Sequence, residues 1–176
     1  MKNILVLSGS PRKGGNSDIL CDQFIKGADE AGNVTEKIYV REQDIGYCTA
    51  CDACRNRGAC VQRDDMSAIL DKMVEADVIV MATPVYFYSM DAQMKTLIDR
   101  TLPRYTEIED KDFYFIAAAA AGKAAMERTI DGFQGFTDCL PGAKVKGVVY
   151  GSGAWQKGDI RRSKAMEEAY RMGKGA

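Results

Sequence analysis

Four cysteines fall within thirteen positions of the stretch "GYCTACDACRNRGAC": Cys48, Cys51, Cys54 and Cys60, spaced C-x2-C-x2-C-x5-C. Thiolates this close on one loop can wrap a single compact cluster, as the C-x2-C-x2-C run of bacterial ferredoxins does. Gly58 and Ala59 leave the fourth thiol room to turn back. Two other readings stay open, free thiols without metal and a four-cysteine zinc site, although zinc knuckles usually come as two well-separated C-x2-C pairs. Cys51 and Arg57 also match the bare spacing of a thiol phosphatase, but they neither follow a core strand directly nor open a long helix. Cys21 and Cys139, on or beside apolar helix faces, are expected to be buried packing residues.

The chain has no histidine. That removes Cys/His nucleophile pairs, the Ser/His/Asp triad, histidine-ligated zinc and the usual proton shuttle near neutral pH. Chemistry must come from carboxylates, thiolates or a bound cofactor. The adjacent Asp64 and Asp65 are read as caps for the helix that begins at Met66 rather than as an acid–base pair. Arg100 and Arg104 stand near the end of a helix, where cations complement its dipole.

A second chemical segment is "SGSPRKGGNS" (8–17), small residues, hydroxyls and two cations between a strand and a helix. A helix N-terminus with free N–H groups and a partial positive charge cradles phosphate. The dinucleotide fingerprint is excluded because Pro11 stands where its second glycine belongs; the triphosphate loop is excluded because Gly15 and Asn16 replace its lysine and hydroxyl. What remains suits a phosphate monoester, with donors from the 14–17 amides and from Ser10, Asn16 and Ser17, and charge from Arg12 or Lys13. An ordinary turn with solvated cations is the plainer alternative.

Tyr86, Phe87 and Tyr88 follow Pro84 at the end of another strand. Successive side chains in an extended segment alternate in direction, so the three cannot all face the core, and at least one is expected to line a cleft suited to a flat heterocycle. The run "AAAAAGK" (117–123) ends a further strand in side chains small enough to leave space for a ring. Core packing or a subunit surface explains the aromatics equally well, and tight helix–sheet packing the alanines. Trp155 reads either as a cover for a bound ring across a dimer interface or as a surface anchor.

The elements that must position these segments alternate. Apolar runs at 3–9 and 77–84 read as buried strands, and those at 34–40, 112–120 and 144–151 as three further strands. Helical spacing recurs in 17–32, 64–76, 89–100, about 124–140 and near 159–172, with Gly32 at a C-terminal cap. Parallel strands need crossover helices, so this pattern predicts one doubly wound α/β domain over 1–176 with a cysteine-rich loop at 46–63. Ligands in such sheets bind beyond the carboxyl ends of the strands, where the first loop and the aromatic run both lie.

Composition narrows the partners. Twenty-four basic against twenty-five acidic residues, a net charge of -1, give no field favouring nucleic acid or an anionic membrane. The opening "MKNILVLSGSPRKGG" has too short an apolar run for a signal peptide, and no stretch reaches the roughly 20 apolar residues of a spanning helix. A cytoplasmic location is expected, where thiols stay reduced.

Together "GSPRKGGNSD", "DDMSAIL", "ADVIVMATPVYFYSMDAQMKTLIDR" and "GVVYGSGAWQKGDI" resemble the NAD(P)H-dependent FMN reductase group of the flavodoxin-like superfamily, especially its iron–sulfur flavoprotein branch. The resemblance implies a five-stranded sheet in the order 2-1-3-4-5, with non-covalent FMN. It puts the phosphate at Ser10, Arg12, Gly15, Asn16 and Ser17, and the flavin ring along Pro84, Val85, Tyr86, Phe87, Tyr88 and Ser89. A third flavin loop falls at Ala120 and Gly122, with alanines where the family often has a hydroxyl. It further implies a [4Fe–4S] centre on Cys48, Cys51, Cys54 and Cys60, and a homodimer or homotetramer with the cysteine loop near a neighbour's flavin. The expected donor is NAD(P)H or a ferredoxin-like protein, the acceptor a small molecule or protein. A non-enzymatic electron carrier and a zinc-stabilised binding module are the rival classes.

Overall fold

Aliphatic runs without alternation form strands covered on both faces. A computed structural model describes residues 1–176. In chain order it runs β1 (Asn3–Ser8), α1 (Asn16–Glu30), β2 (Val34–Tyr39), α2 (Ala53–Arg57), α3 (Met66–Glu75), β3 (Val78–Tyr86), β4 (Ser89–Met90), α4 (Ala92–Asp99), β5 (Asp112–Ala118), α5 (Glu127–Thr137), β6 (Lys144–Gly151) and α6 (Ala165–Lys174). Five parallel strands lie in the order β2-β1-β3-β5-β6. The expected five-stranded 2-1-3-4-5 sheet needs one correction. A sixth strand, the two-residue β4, folds back antiparallel on the end of β3 and pairs Val85 with Met90 and Tyr86 with Ser89.

The pleat sorts side chains between two cores. Leu5, Leu7, Ile79, Met81, Phe113 and Phe115 share one core with buried residues of α3, α4 and α5. Their neighbours Ile4, Val6, Val78, Val80, Tyr114 and Ile116 share the other with α1 and α6. This is why the strands read as unbroken apolar runs. On the second face α1 and α6 touch backbone to backbone: a Cβ on Gly27 would lie 2.1 Å from the Tyr170 carbonyl oxygen, and one on Gly173 would lie 1.9 Å from that of Phe24.

Several element ends differ from the sequence reading. The helix expected from residue 89 opens at Ala92, because Ser89 and Met90 pair with β3 and the Asp91 carboxylate accepts the Met94 N–H at 3.2 Å as its cap. Residues 123–125 and 159–162 form single 3₁₀ turns ahead of α5 and α6. Cys21 is fully buried as expected, but Cys139 is exposed: it lies just past α5, with its thiol turned back onto the Gly135 carbonyl oxygen at 3.3 Å.

Candidate functional site

The loop between β1 and α1 is built around its own backbone. Gly14 takes a left-handed φ of 70°, and the Gly15 N–H donates to the Arg12 carbonyl oxygen at 2.9 Å, as does the Ser10 hydroxyl. A Cβ on Gly15 would stand 2.7 Å from Ser10 Oγ and 2.9 Å from that carbonyl oxygen, so only glycine fits. The Gly14 N–H donates to Asp18 at 2.7 Å. Two of the expected amide donors, on Gly14 and Gly15, are therefore already committed. Ile19 is the first residue of α1 to bond back, to Gly15, which leaves the N–H groups of Asn16, Ser17 and Asp18 without intrahelical acceptors. Ser17 is 1% exposed and its hydroxyl has no partner. Buried hydroxyls are almost always bonded, so this one is reserved for something else.

Asn16 works differently from the sequence reading. Its amide donates to the carbonyl oxygens of Ala154 and Gln156 at 3.2 and 2.9 Å, and its side-chain oxygen accepts from the N–H of Gly158 at 3.0 Å. The side chain thus straps the first loop to the loop after β6. Lys13 is drawn off to Glu42 at 3.8 Å and to the Tyr39 ring, whereas Arg12 faces the cleft without an acidic partner.

A cleft of about 320 Å³ results. Ser10, Arg12, Gly15, Asn16 and Ser17 form one end. Pro84, Val85 and Tyr86 continue the lining, with Ala118, Ala119 and Ala120 beside them at the end of the neighbouring strand and Ala154, Trp155 and Gln156 completing it. The loops after β5 and β6 are joined by the Ala154 N–H donating to the Ala119 carbonyl oxygen at 3.0 Å. Of the expected site residues, Phe87, Tyr88, Ser89 and Gly122 lie outside this lining. Phe87 and Tyr88 form the two-residue turn between β3 and β4, with φ of 48° and 63°. Phe87 is wholly exposed, and Tyr88 lies under the Arg128 guanidinium, 5.8 Å from ring centre. The sequence reading named no cleft role for Gln156 and none for Ala154, both in the loop after the last strand; Ala118 falls in the 117–123 run already read as leaving space for a ring.

Beneath the cleft lies Asp91, 1% exposed. One carboxylate oxygen takes the Met94 N–H and the Thr83 hydroxyl, the other has no partner, and a Cβ on Gly9 would strike the group at 2.6 Å. Burial pushes its pKa up to about 7, against the opposing pull of those hydrogen bonds.

The four clustered thiols line one small cavity with Arg100, Leu102 and Pro103. Ala50, Asp52 and Gly58 take left-handed φ, which curls the chain around it, and Cys54 sits on the single turn of α2. All four are free thiols, and nowhere do three Cys, Asp or Glu side chains converge as ligands of one ion. Arg100 holds the neck of this lobe. Its guanidinium donates to the Gly46 carbonyl oxygen at 2.6 Å, to Gln62 at 3.1 Å and to both oxygens of Asp64 at 2.6 and 3.0 Å, while its Nε has no partner. Although burial works against both charges, their mutual bonds hold Asp64 below the usual carboxylate range and Arg100 above its ordinary value, with Cys60 also beside the guanidinium. The two aspartates expected as caps are thus mainly ties: Asp64 also accepts the Met66 N–H at 3.2 Å, but Asp65 takes that of Asp44.

Residues 2–156 match the family model described as NADPH-dependent FMN reductase. The chain belongs to this family. Among curated relatives, an iron–sulfur flavoprotein of Archaeoglobus fulgidus is 44% identical over 103 residues, 58% of this chain and 46% of that protein. One of Methanocaldococcus jannaschii is 34% identical over 135 residues, 76% of this chain and 70% of that one. The chain thus spans about half the length of the first of these. A solved structure described as Trp repressor binding protein from Bacillus subtilis superposes with a TM-score of 0.71 at 25% identity, covering 96% of each chain. An azoreductase from Bacillus anthracis superposes at 0.77 with 17% identity over the whole of both chains, which speaks for the fold. No helix of this FMN reductase-family chain is long and apolar enough to cross a membrane.

Proposed function

We propose that this chain is an FMN-dependent oxidoreductase, reduced by NAD(P)H or a ferredoxin-like donor, that passes electrons to a small-molecule or protein acceptor. The observation that carries the reading is the cleft with its phosphate end: a helix N-terminus, an unpartnered buried Ser17 hydroxyl and an unpaired Arg12. These suit a phosphate monoester, and the proline-to-alanine walls suit a flat ring. FMN, when bound, accepts a hydride and releases electrons singly. The protein's part is to hold it. The Asn16, Ser17 and Asp18 N–H groups, Ser17 Oγ and Arg12 bind the phosphate; the backbone of Pro84 to Tyr86 and of Ala118 to Ala120 orients the ring. Trp155 and Gln156 shield its edge from water. The lining contains no carboxylate or thiol, so no catalytic acid or base is assigned.

The thiol lobe fits a [4Fe–4S] cluster on Cys48, Cys51, Cys54 and Cys60. Four thiols around a common void suit a polynuclear centre better than a single ion, and the buried cationic Arg100, with an unpartnered Nε–H and with Cys60 near its guanidinium, suits an anionic one. The named iron–sulfur relatives support this reading. Such a cluster would relay single electrons. A homodimer or homotetramer and a cytoplasmic setting belong to the same proposal.

Anaerobically purified protein tests it by visible spectrum, iron and sulfide analysis, and stopped-flow mixing with NADPH and NADH. Flavin bands that bleach with either nucleotide, together with iron and sulfide, are expected. Flavin without iron removes the cluster; flavin that neither nucleotide bleaches makes the chain an electron carrier; colourless protein containing zinc overturns the proposal.

A further inference from the structure

Asp18 is an acid in the first turn of the helix assigned to the phosphate, and it is 1% exposed. Its carboxylate does structural work, accepting the Gly14 N–H at 2.7 Å and the Ser8 hydroxyl at 3.0 Å. Left alone, a buried anion there would oppose the helix dipole and repel a phosphate. The opposite charge comes from another element. Lys37, on β2, places its ammonium against Asp18 with only 10% of its side chain exposed, reaches Asp22 at 2.7 Å and sits over the Tyr39 ring at 4.6 Å. Burial works against that charge, yet the bonds to Asp18 and Asp22 and the Asp18 charge outweigh it and keep the ammonium above its ordinary pKa. Cys21 itself is pushed up to about 12, chiefly by burial, and stays a neutral thiol.

We propose that Lys37 is a positioning residue for the anion end of the cleft. It neutralises the carboxylate that anchors Gly14, so the loop keeps its shape and the helix terminus keeps its net positive character. Loop shape and loop charge make opposite demands on Asp18, and Lys37 reconciles them. Lys37 lines no part of the cleft, so it acts on a ligand only through Asp18 and the loop that Asp18 anchors.

The inference rests on the FMN reading and makes a prediction that separates charge from shape. FMN and riboflavin share a ring and differ by the phosphate. In Lys37→Met the apoprotein's affinity for FMN should fall about tenfold or more, while that for riboflavin changes less than roughly threefold. Adding Asp18→Asn to that variant should restore most of the FMN loss, and Lys37→Arg should behave as wild type. Lys37→Gln keeps a donor to Asp18 without the charge and carries the same expectation if the methionine variant does not fold. Fluorescence titration of all variants with both flavins reads the result. Equal losses for FMN and riboflavin, or unchanged FMN binding in both neutral variants, overturn the inference alone. Wild-type protein that takes up no FMN overturns the reading beneath it as well.

Discussion

Asp91 shows how a single side chain can set a pH profile. Unfolded, it ionises near pH 4, but in the native state burial raises its pKa to about 7. Between those values the unfolded chain has released a proton that the native state still holds, so stability falls as pH rises and levels off above 7. Asp91→Asn keeps a capping side chain and removes the titration. Urea unfolding from pH 4 to 8 should give a flatter curve for the variant, with the two proteins diverging by on the order of 3 kcal/mol at neutral pH. The thiol spacing and the phosphate-loop composition were legible in the sequence because their partners are neighbours. The roles of Asn16, Lys37 and Asp91 were not: the bonds of Asn16 reach residues 138 to 144 positions away, and nothing local announces them.

Secondary-structure elements were legible where burial is two-sided or strictly periodic, which covers the five long strands and the cores of the helices. The β3–β4 hairpin escaped for a physical reason. Two-residue turns with both central φ positive call for Asn-Gly or similar pairs, whereas here Phe87 and Tyr88 fill them, so the segment read as the start of a helix. Aromatic side chains held there cost energy that a surrounding structure must offset, and such strain collects at functional clefts. Phe87→Gly removes the steric cost at a fully exposed position and should stabilise the protein by about 1 kcal/mol in thermal unfolding. A loss of stability would instead mean that the exposed ring is covered in solution.

Across the whole molecule, the close contact of α1 with α6 braces the helix whose N-terminus forms one end of the cleft. Helix α6 follows the 154–162 segment, whose backbone holds Asn16. A methyl group on Gly173 would overlap the Phe24 carbonyl group, and neither helix backbone can yield without moving the other. Gly173→Ala should therefore cost about 3 kcal/mol in urea unfolding and weaken FMN retention in the same protein. Stability lost with flavin retained would uncouple the helix pair from the cleft. The doubly wound class was legible from strand–helix alternation alone. This close approach was not, since a glycine within a helix reads only as a weak helix former.

The neck at Arg100 has one more consequence. Gly46, Gln62 and Asp64 meet at a single guanidinium, so the intervening cysteine lobe hangs from the α/β body as an appendage rather than as part of its frame. Attack by oxygen on the lobe's sulfurs can then be contained at that hinge. Damage to the lobe would then leave the α/β body and its cleft standing.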